Sequence, residues 1–239
     1  MKKLNQIYEG KAKKVYATAD PDLLIQEFKD DATAFNAKKR GTIVGKGIVN
    51  NKISAILFQY LEGQGVKTHF VRQLSDREML MKRLEIIPIE MTVRNITAGG
   101  ISKLLGIAEG IVLDQPVLEY HYKRDDLDDP LMNRDHVLAL KLATEEELHF
   151  LDETSLKVNE ALKAFFLELN LNLVDFKLEF GRHHGEILLG DEISPDTMRL
   201  WEVGTSKKMD KDRFRRDLGE IEEAYQEVLR RVESAASLR

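Results

Sequence analysis

The chain has no cysteine, and that one absence removes disulfides, thiolate nucleophiles and zinc–cysteine centres together. Such a composition fits a reducing cytoplasm, which is the expected location. Long apolar runs are missing too. Stretches such as Ala55–Phe58 and Ile86–Ile89 fall far short of the ~20 residues a membrane-spanning helix needs. The opening Met1-Lys2-Lys3-Leu4-Asn5-Gln6 turns polar where a signal peptide would place an apolar stretch, so no membrane partner is expected. Nor is there a cationic excess. With Lys+Arg 36 against Asp+Glu 41, the formal charge is −5, which argues against a protein whose main work is gripping nucleic acid. A local basic cleft stays open. Walker, Gly-x-Gly-x-x-Gly, His-Glu-x-x-His and nucleophile-elbow patterns are absent as well.

What is there is a globular chain. Its 239 residues suit one large domain or two small ones tightly joined. The 43% apolar content is ordinary and the 32% charge is high. Short β-prone segments at residues 6–9, 14–17 and 23–28 predict a hairpin with Gly10 to Lys13 at its tip. A helix is expected after Asn50 and Asn51, ending at Gly63, with strands over 66–74, 84–95 and 117–123. Ser75-Asp76-Arg77-Glu78 matches a capping box, but the segment after it is β-branched and holds Pro88. Ile101–Gly106 reads as a short helix, and Lys123–Asp135 as a charge-dense surface loop. Thr144-Glu145-Glu146-Glu147 is a better capping box and opens the clearest helix. Leu173–Gly181 and Glu186–Asp191 then form a hairpin around Arg182-His183-His184-Gly185. A final amphipathic helix is expected to carry Phe214, Leu218, Ile221, Tyr225 and Val228 on one face.

Three groups of residues could carry chemistry. In Asp175-Phe176-Lys177-Leu178-Glu179-Phe180-Gly181, strand alternation puts Asp175, Lys177 and Glu179 on one face and the apolar residues on the other. A turn centred near Gly185 would set Glu179 opposite Asp191, where two carboxylates could share Mg²⁺. The alternative is the wet face of a half-buried strand. Second, Tyr8-Glu9-Gly10-Lys11-Ala12-Lys13 offers a glycine that lets backbone approach a polyphosphate and lysines to neutralise it, as kinase-like hairpins do. Lysines that merely solubilise a hairpin tip are the alternative. Third, Arg94-Asn95 before Ala98-Gly99-Gly100, together with Arg199, suits a monophosphate, or else forms salt bridges.

Taken in order with Lys46-Gly47-Ile48-Val49-Asn50-Asn51, Asp129-Pro130, Gly190-Asp191-Glu192-Ile193-Ser194-Pro195-Asp196 and Lys211-Asp212-Arg213-Phe214-Arg215, these strings resemble the SAICAR synthetase family from about residue 5 to the last helix. The resemblance implies an α+β fold. An N-terminal antiparallel β-sheet lobe (1–85) would pack on a larger α/β lobe (86–239), related to ATP-grasp and kinase-like folds, with ATP in the interlobe cleft. It implies an ATP-dependent ligase that joins L-aspartate to carboxyaminoimidazole ribonucleotide through an acyl phosphate, commonly as a homodimer. By similarity, Gly10, Lys11, Ala12 and Lys13 would cover the ATP phosphates, and the strand Glu85–Glu90, ending in Glu90, would face adenine. Glu179 and Asp191 would hold Mg²⁺. Arg94 and Arg199 would bind the ribose phosphate with Gly99 and Gly100. Asp175, Lys177 and Asp196 would contact the imidazole and its reacting carboxylate, with Lys123 and Arg215 toward the carboxylates. No general base is evident. The family usually has serine where this chain has Gly100, so one phosphate hydroxyl is missing. An ATP-dependent small-molecule kinase is the competing activity.

Overall fold

A computed structural model describes residues 1–34 and 39–237. The expected amino-terminal hairpin forms. β1 (Gln6–Glu9) and β2 (Lys13–Ala17) pair antiparallel, and the Gly10 amide donates to the Lys13 carbonyl at 2.9 Å. β3 (Leu23–Phe28) follows. A small hairpin of β4 (Asp31–Ala34) and β5 (Lys39–Thr42), unexpected from sequence, stands apart. Helix α1 (Lys46–Gly63) comes next, then β6 (Phe70–Gln73) and β7 (Glu78–Lys82). These strands make a five-stranded sheet in the order β1-β2-β3-β7-β6. The Ser75–Glu78 segment is a hairpin turn, with the Leu74 and Ser75 amides on the Glu78 carbonyl at 2.8 and 3.2 Å. Helix α1 starts five residues earlier than expected. Gly45, at φ +79°, turns the chain into it, and the buried polar Lys46, Asn50 and Asn51 hide the apolar stripe that would have announced its first turns.

The second sheet is built from β8 (Glu85–Ile96), β9 (Val112–Tyr122), β10 (Leu131–Met132), β11 (Leu171–His183), β12 (Glu186–Gly190) and β13 (Met198–Glu202). Its order is β10-β9-β8-β11-β12, with β13 also on β11. All pairings between these strands are antiparallel. Between the strands run α2 (Gly100–Leu105), α3 (Arg134–Ala139) and α4 (Glu145–Glu168). The capping box at Thr144 is present, with both reciprocal hydrogen bonds, at 3.2 and 2.8 Å. The chain closes with α5 (Asp212–Arg215) and α6 (Ile221–Ala236). The single amphipathic helix expected there is therefore two pieces. Gly219 and Glu220 both take positive φ and break it, leaving Phe214 in α5 and Leu218 exposed between them.

One continuous apolar core joins α1, α4 and α6 to the second sheet, with Phe58, Ile89, Phe165, Phe176, Phe180 and Val228 all buried. Among the described residues no helix is long and apolar enough to cross a membrane.

The β11–β12 register corrects one expectation. The turn is two residues, His184 and Gly185, with φ of 48° and 82°, the geometry of a tight hairpin. Its centre lies between those residues rather than on Gly185, so His183 pairs with Glu186 and Glu179 pairs with Gly190, not Asp191. Asp191 lies one residue past the strand at φ 59°. Arg182 and His183 are strand rather than turn.

Candidate active site

The central strand β11 shares one edge between two partners. β12 pairs along Glu179–His183 and β13 along Leu171–Phe176. The 191–197 connection leaves the sheet between them, where the Lys177 amide donates to the Thr197 carbonyl at 2.9 Å. This topology gathers Asp191, Glu192 and Asp196 beside a strand whose alternation already presents Asp175, Lys177 and Glu179 on one face. Phe176, Leu178 and Phe180 are buried on the other, as expected.

A cavity of about 1280 Å³ opens where the two sheets meet. That exceeds the roughly 300–1,000 Å³ typical of a single small-ligand pocket, so it has room for a nucleotide and more. One wall is the hairpin tip Gly10–Lys13 with apolar Val15, Leu24 and Met81; the facing wall carries Glu90, Lys123, Glu179 and Asp191. Opposite charges interleave there. Lys13 pairs with Asp191, Lys123 with Glu179 and Lys177 with Glu90. Lys11, nearer solvent, reaches Asp125 at 2.7 Å. Burial disfavours the charge on Lys123, but Glu179 beside it outweighs this and raises its pKa above the usual lysine value.

Further along β11 is a row of buried ion pairs that cross-strand register dictates. Asp175 lies opposite Arg94 of β8 and Arg199 of β13. It accepts from Arg94 at 2.8 Å and from Arg199 at 2.8 and 3.0 Å. Arg94 also reaches Glu119 at 2.7 Å, and Arg199 reaches Asp212 at 2.9 Å. Asp212 in turn accepts from Arg215 at 2.6 Å. Burial pushes the Glu119 carboxyl up, but His121 and Arg94 outweigh it and hold it at about 2. Arg94 and Arg199 thus face buried carboxylates, not the surface partners that a bare salt-bridge reading expects. Gly99 and Gly100 stand against this pair. A Cβ on Gly99 would fall inside the Arg199 guanidinium, and one on Gly100 would be 3.3 Å from Arg94 Nη2.

Asp196 forms a third cluster. Its Oδ2 accepts from Lys46 at 2.8 Å and Lys211 at 3.3 Å, and its Oδ1 from the Tyr225 hydroxyl at 2.6 Å. Burial opposes ionisation, but Lys211 and Lys46 hold this carboxyl far below the usual range.

The structure therefore divides the expected residues. Gly10 to Lys13, Glu90, Lys123, Glu179 and Asp191 line one cavity. Asp175, Arg94, Arg199, Gly99, Gly100 and Arg215 form a second group. Four residues of strand separate Asp175 from Glu179, roughly 13 Å. Lys177 lies between them, and Asp196 belongs to the 191–197 connection beside it. From sequence, Glu119, Lys46, Lys211 and Tyr225 carry no assigned role. Two of them sit inside strings that carry the family resemblance, and Glu119 shows only as an acid in the apolar run of β9.

Glu179 and Asp191 fit a magnesium site in chemistry. Both are hard oxygen donors on the cavity wall, and each is now balanced by one lysine. Among the described residues no group of three or more His, Asp or Glu is arranged to hold a metal ion by itself, so phosphate oxygens and water would complete the shell, the coordination Mg²⁺ favours.

Comparison with known proteins identifies the family. The family model for SAICAR synthetase matches residues 6–232. A phosphoribosylaminoimidazole-succinocarboxamide synthase from Chlorobium luteolum is 61% identical over 238 residues, covering 100% of each chain. The crystal structure of the same enzyme from Ehrlichia chaffeensis superposes with a TM-score of 0.94 at 46% identity, covering 96% of this chain and 98% of that one. A SAICAR synthetase solved in complex with ADP gives 0.92 at 45% identity, with 94% and 96% covered.

Proposed function

The chain belongs to the SAICAR synthetase family, and we propose that the family's reaction runs along the charged face of β11. The protein is a ligase that makes SAICAR in purine biosynthesis, with ATP as co-substrate. The end-to-end identity with named relatives carries this assignment. The reaction joins L-aspartate to the carboxylate of 5-amino-1-(5-phospho-ribosyl)imidazole-4-carboxylate.

Three anionic reactants must meet, so positioned charge is the main catalytic requirement. ATP lies in the cavity, its base against Val15, Leu24, Met81 and the Glu85–Glu90 backbone. Its phosphates sit under Gly10 to Lys13, where Lys11 and Lys13 offset their charge. Glu179 and Asp191 would hold Mg²⁺, which when bound neutralises phosphate oxygens during transfer. The ribotide phosphate sits at Arg94, Arg199 and the Gly99 and Gly100 amides, and both arginines also hold Asp175. Asp175, Lys177 and Asp196 contact the imidazole and its carboxylate, and Lys123 and Arg215 attract the remaining carboxylates. A ribotide carboxylate oxygen attacks the γ-phosphorus and ADP leaves. The aspartate amine then attacks the acyl carbon, and the C–O bond to phosphate breaks.

A hairpin sheet over the phosphates would relate the fold to ATP-grasp and kinase-like proteins, with two lobes divided at residues 85 and 86, just inside β8 and three residues past the last strand of the first sheet. Such charged metabolites do not cross membranes, so the enzyme works in the cytoplasm. Exposed Leu104, Leu105, Ile111 and Val112 offer an apolar surface for a homodimer, whose mass light scattering would give.

The test is ADP release and product mass with ATP and ribotide, with and without aspartate. The amide should form only with aspartate. Equal turnover and a stable phosphorylated ribotide without aspartate would instead identify a kinase.

A further inference from the structure

The aspartate amine arrives as an ammonium and must lose a proton before it can attack. The cluster around Asp196 contains a group suited to take it. Two amines share one carboxylate oxygen there. Lys46 is fully buried and the nearer, at 2.8 Å, while Lys211 is 12% exposed at 3.3 Å. With Tyr225 on the other oxygen at 2.6 Å, a single negative charge answers two ammonium groups in a largely buried site. Arg215 of α5 adds a third positive charge facing Lys211. Glu192 is the acid that opposes this, and it is shared with Lys13, 3.9 Å from its Oε2; that oxygen is buried and has no hydrogen-bond partner among the described residues. The cheapest relief is for one amine to be neutral. Lys46 is sealed in the core, so the partly exposed Lys211 is the one able to exchange its proton. A lysine that is desolvated and set beside another cation is a standard way to make a neutral amine.

We propose that Lys211 is the general base of the ligation step, an assignment that rests on the acyl-phosphate route above. The Lys211 ε-amine lone pair takes one proton from the aspartate α-ammonium. The freed nitrogen lone pair forms the C–N bond, the C–O bond to phosphate breaks, and the second N–H proton leaves with the departing phosphate. Burial holds the Lys211 pKa below the usual lysine value, with Lys46 and Arg215 acting in the same direction and Asp196 and Glu192 against it.

Hydroxylamine separates this from a structural role, because it is neutral near pH 7 and needs no base before it attacks an acyl phosphate. In purified enzyme with ATP and ribotide, Lys211→Met should lower aspartate-dependent turnover by about 100-fold or more. Hydroxylamine-dependent ADP release and hydroxamate formation should stay within about threefold of wild type, the size of effect expected where no proton is transferred. Lys211→Arg keeps the positive charge but cannot accept a proton, so it should fail with aspartate in the same selective way, and it serves if the methionine variant does not fold. Full activity in Lys211→Arg, or equal losses with both nucleophiles, would overturn the assignment. If wild-type enzyme gives no hydroxamate at all, the acyl-phosphate route itself falls, and the role of Lys211 with it.

Discussion

Lys46→Met probes a fully buried charge. Lys46 is 0% exposed and holds Asp196, 3% exposed, at 2.8 Å. Removing one partner of a buried ion pair costs about 3–5 kcal/mol, because the other charge is left without compensation. Here Asp196 keeps Tyr225 at 2.6 Å and Lys211 at 3.3 Å, which places the loss at or below the low end of that range, about 2–3 kcal/mol. For a chain of this size each kcal/mol moves Tm by about 2–4 °C, so Lys46→Met should melt roughly 5–10 °C lower. Asp196→Asn strands both lysines and should cost more, about 3–5 kcal/mol. The double variant Lys46→Met/Asp196→Asn leaves only the more exposed Lys211 uncompensated, so its cost should fall short of the sum by at least about 1.5 kcal/mol. Thermal melts of the four proteins close the cycle. A Lys46→Met melting point within 1–2 °C of wild type, well short of the roughly 4 °C that is the least this reasoning allows, would refute the claim that Lys46 compensates the buried Asp196 carboxylate. Strict additivity would refute it too.

Three further outcomes follow from the site. Glu179→Gln should cut turnover by about 100-fold or more with little change in Tm, since Glu179 pairs with Lys123 at the cavity wall; wild-type activity would contradict the metal assignment. Gly100→Ser should lower the ribotide KM by about two- to tenfold, the worth of one added hydrogen bond, provided Arg94 Nη2, 3.3 Å from the new Cβ, gives by a few tenths of an ångström, since the backbone angle is open to any residue; a raised KM would move the phosphate elsewhere. Glu119 is depressed from 4.5 to about 2. A carboxylate whose folded pKa is lowered adds stability that is complete above its unfolded value and is lost as pH falls through the folded one. Glu119→Gln should therefore flatten the fall of Tm between about pH 4.5 and pH 2, and an unchanged slope would show that its pairing with His121 and Arg94 contributes nothing there.

Local rules made much of this protein legible. Alternation in residues 175–180 fixed which side chains share a face, because the strand period of two leaves no freedom once Phe176, Leu178 and Phe180 are buried. The Thr144 capping box marked the start of α4 because that signal is carried by four adjacent residues. The hairpin at Gly10 was readable for the same reason. Failures came where polar residues are buried: Lys46, Asn50 and Asn51 concealed the start of α1, since hydrophobic periodicity cannot detect a helix turn that faces an ion pair.

The sequence by itself determined the family, the acidic and basic strings, and the face on which Asp175, Lys177 and Glu179 stand, all of which depend on neighbours a few residues apart. Tertiary structure alone decided their partners. A turn centred between His184 and Gly185 set Glu179 against Gly190, since moving a turn centre by half a residue moves every partner by one. The joint occupation of one edge of β11 by β12 and β13 brought Asp196 to Lys46, 150 residues away in the chain, and to Lys211. No short-range pattern encodes which amine ends up sealed and which stays open, because that depends on how α1, α5 and α6 close over the same carboxylate.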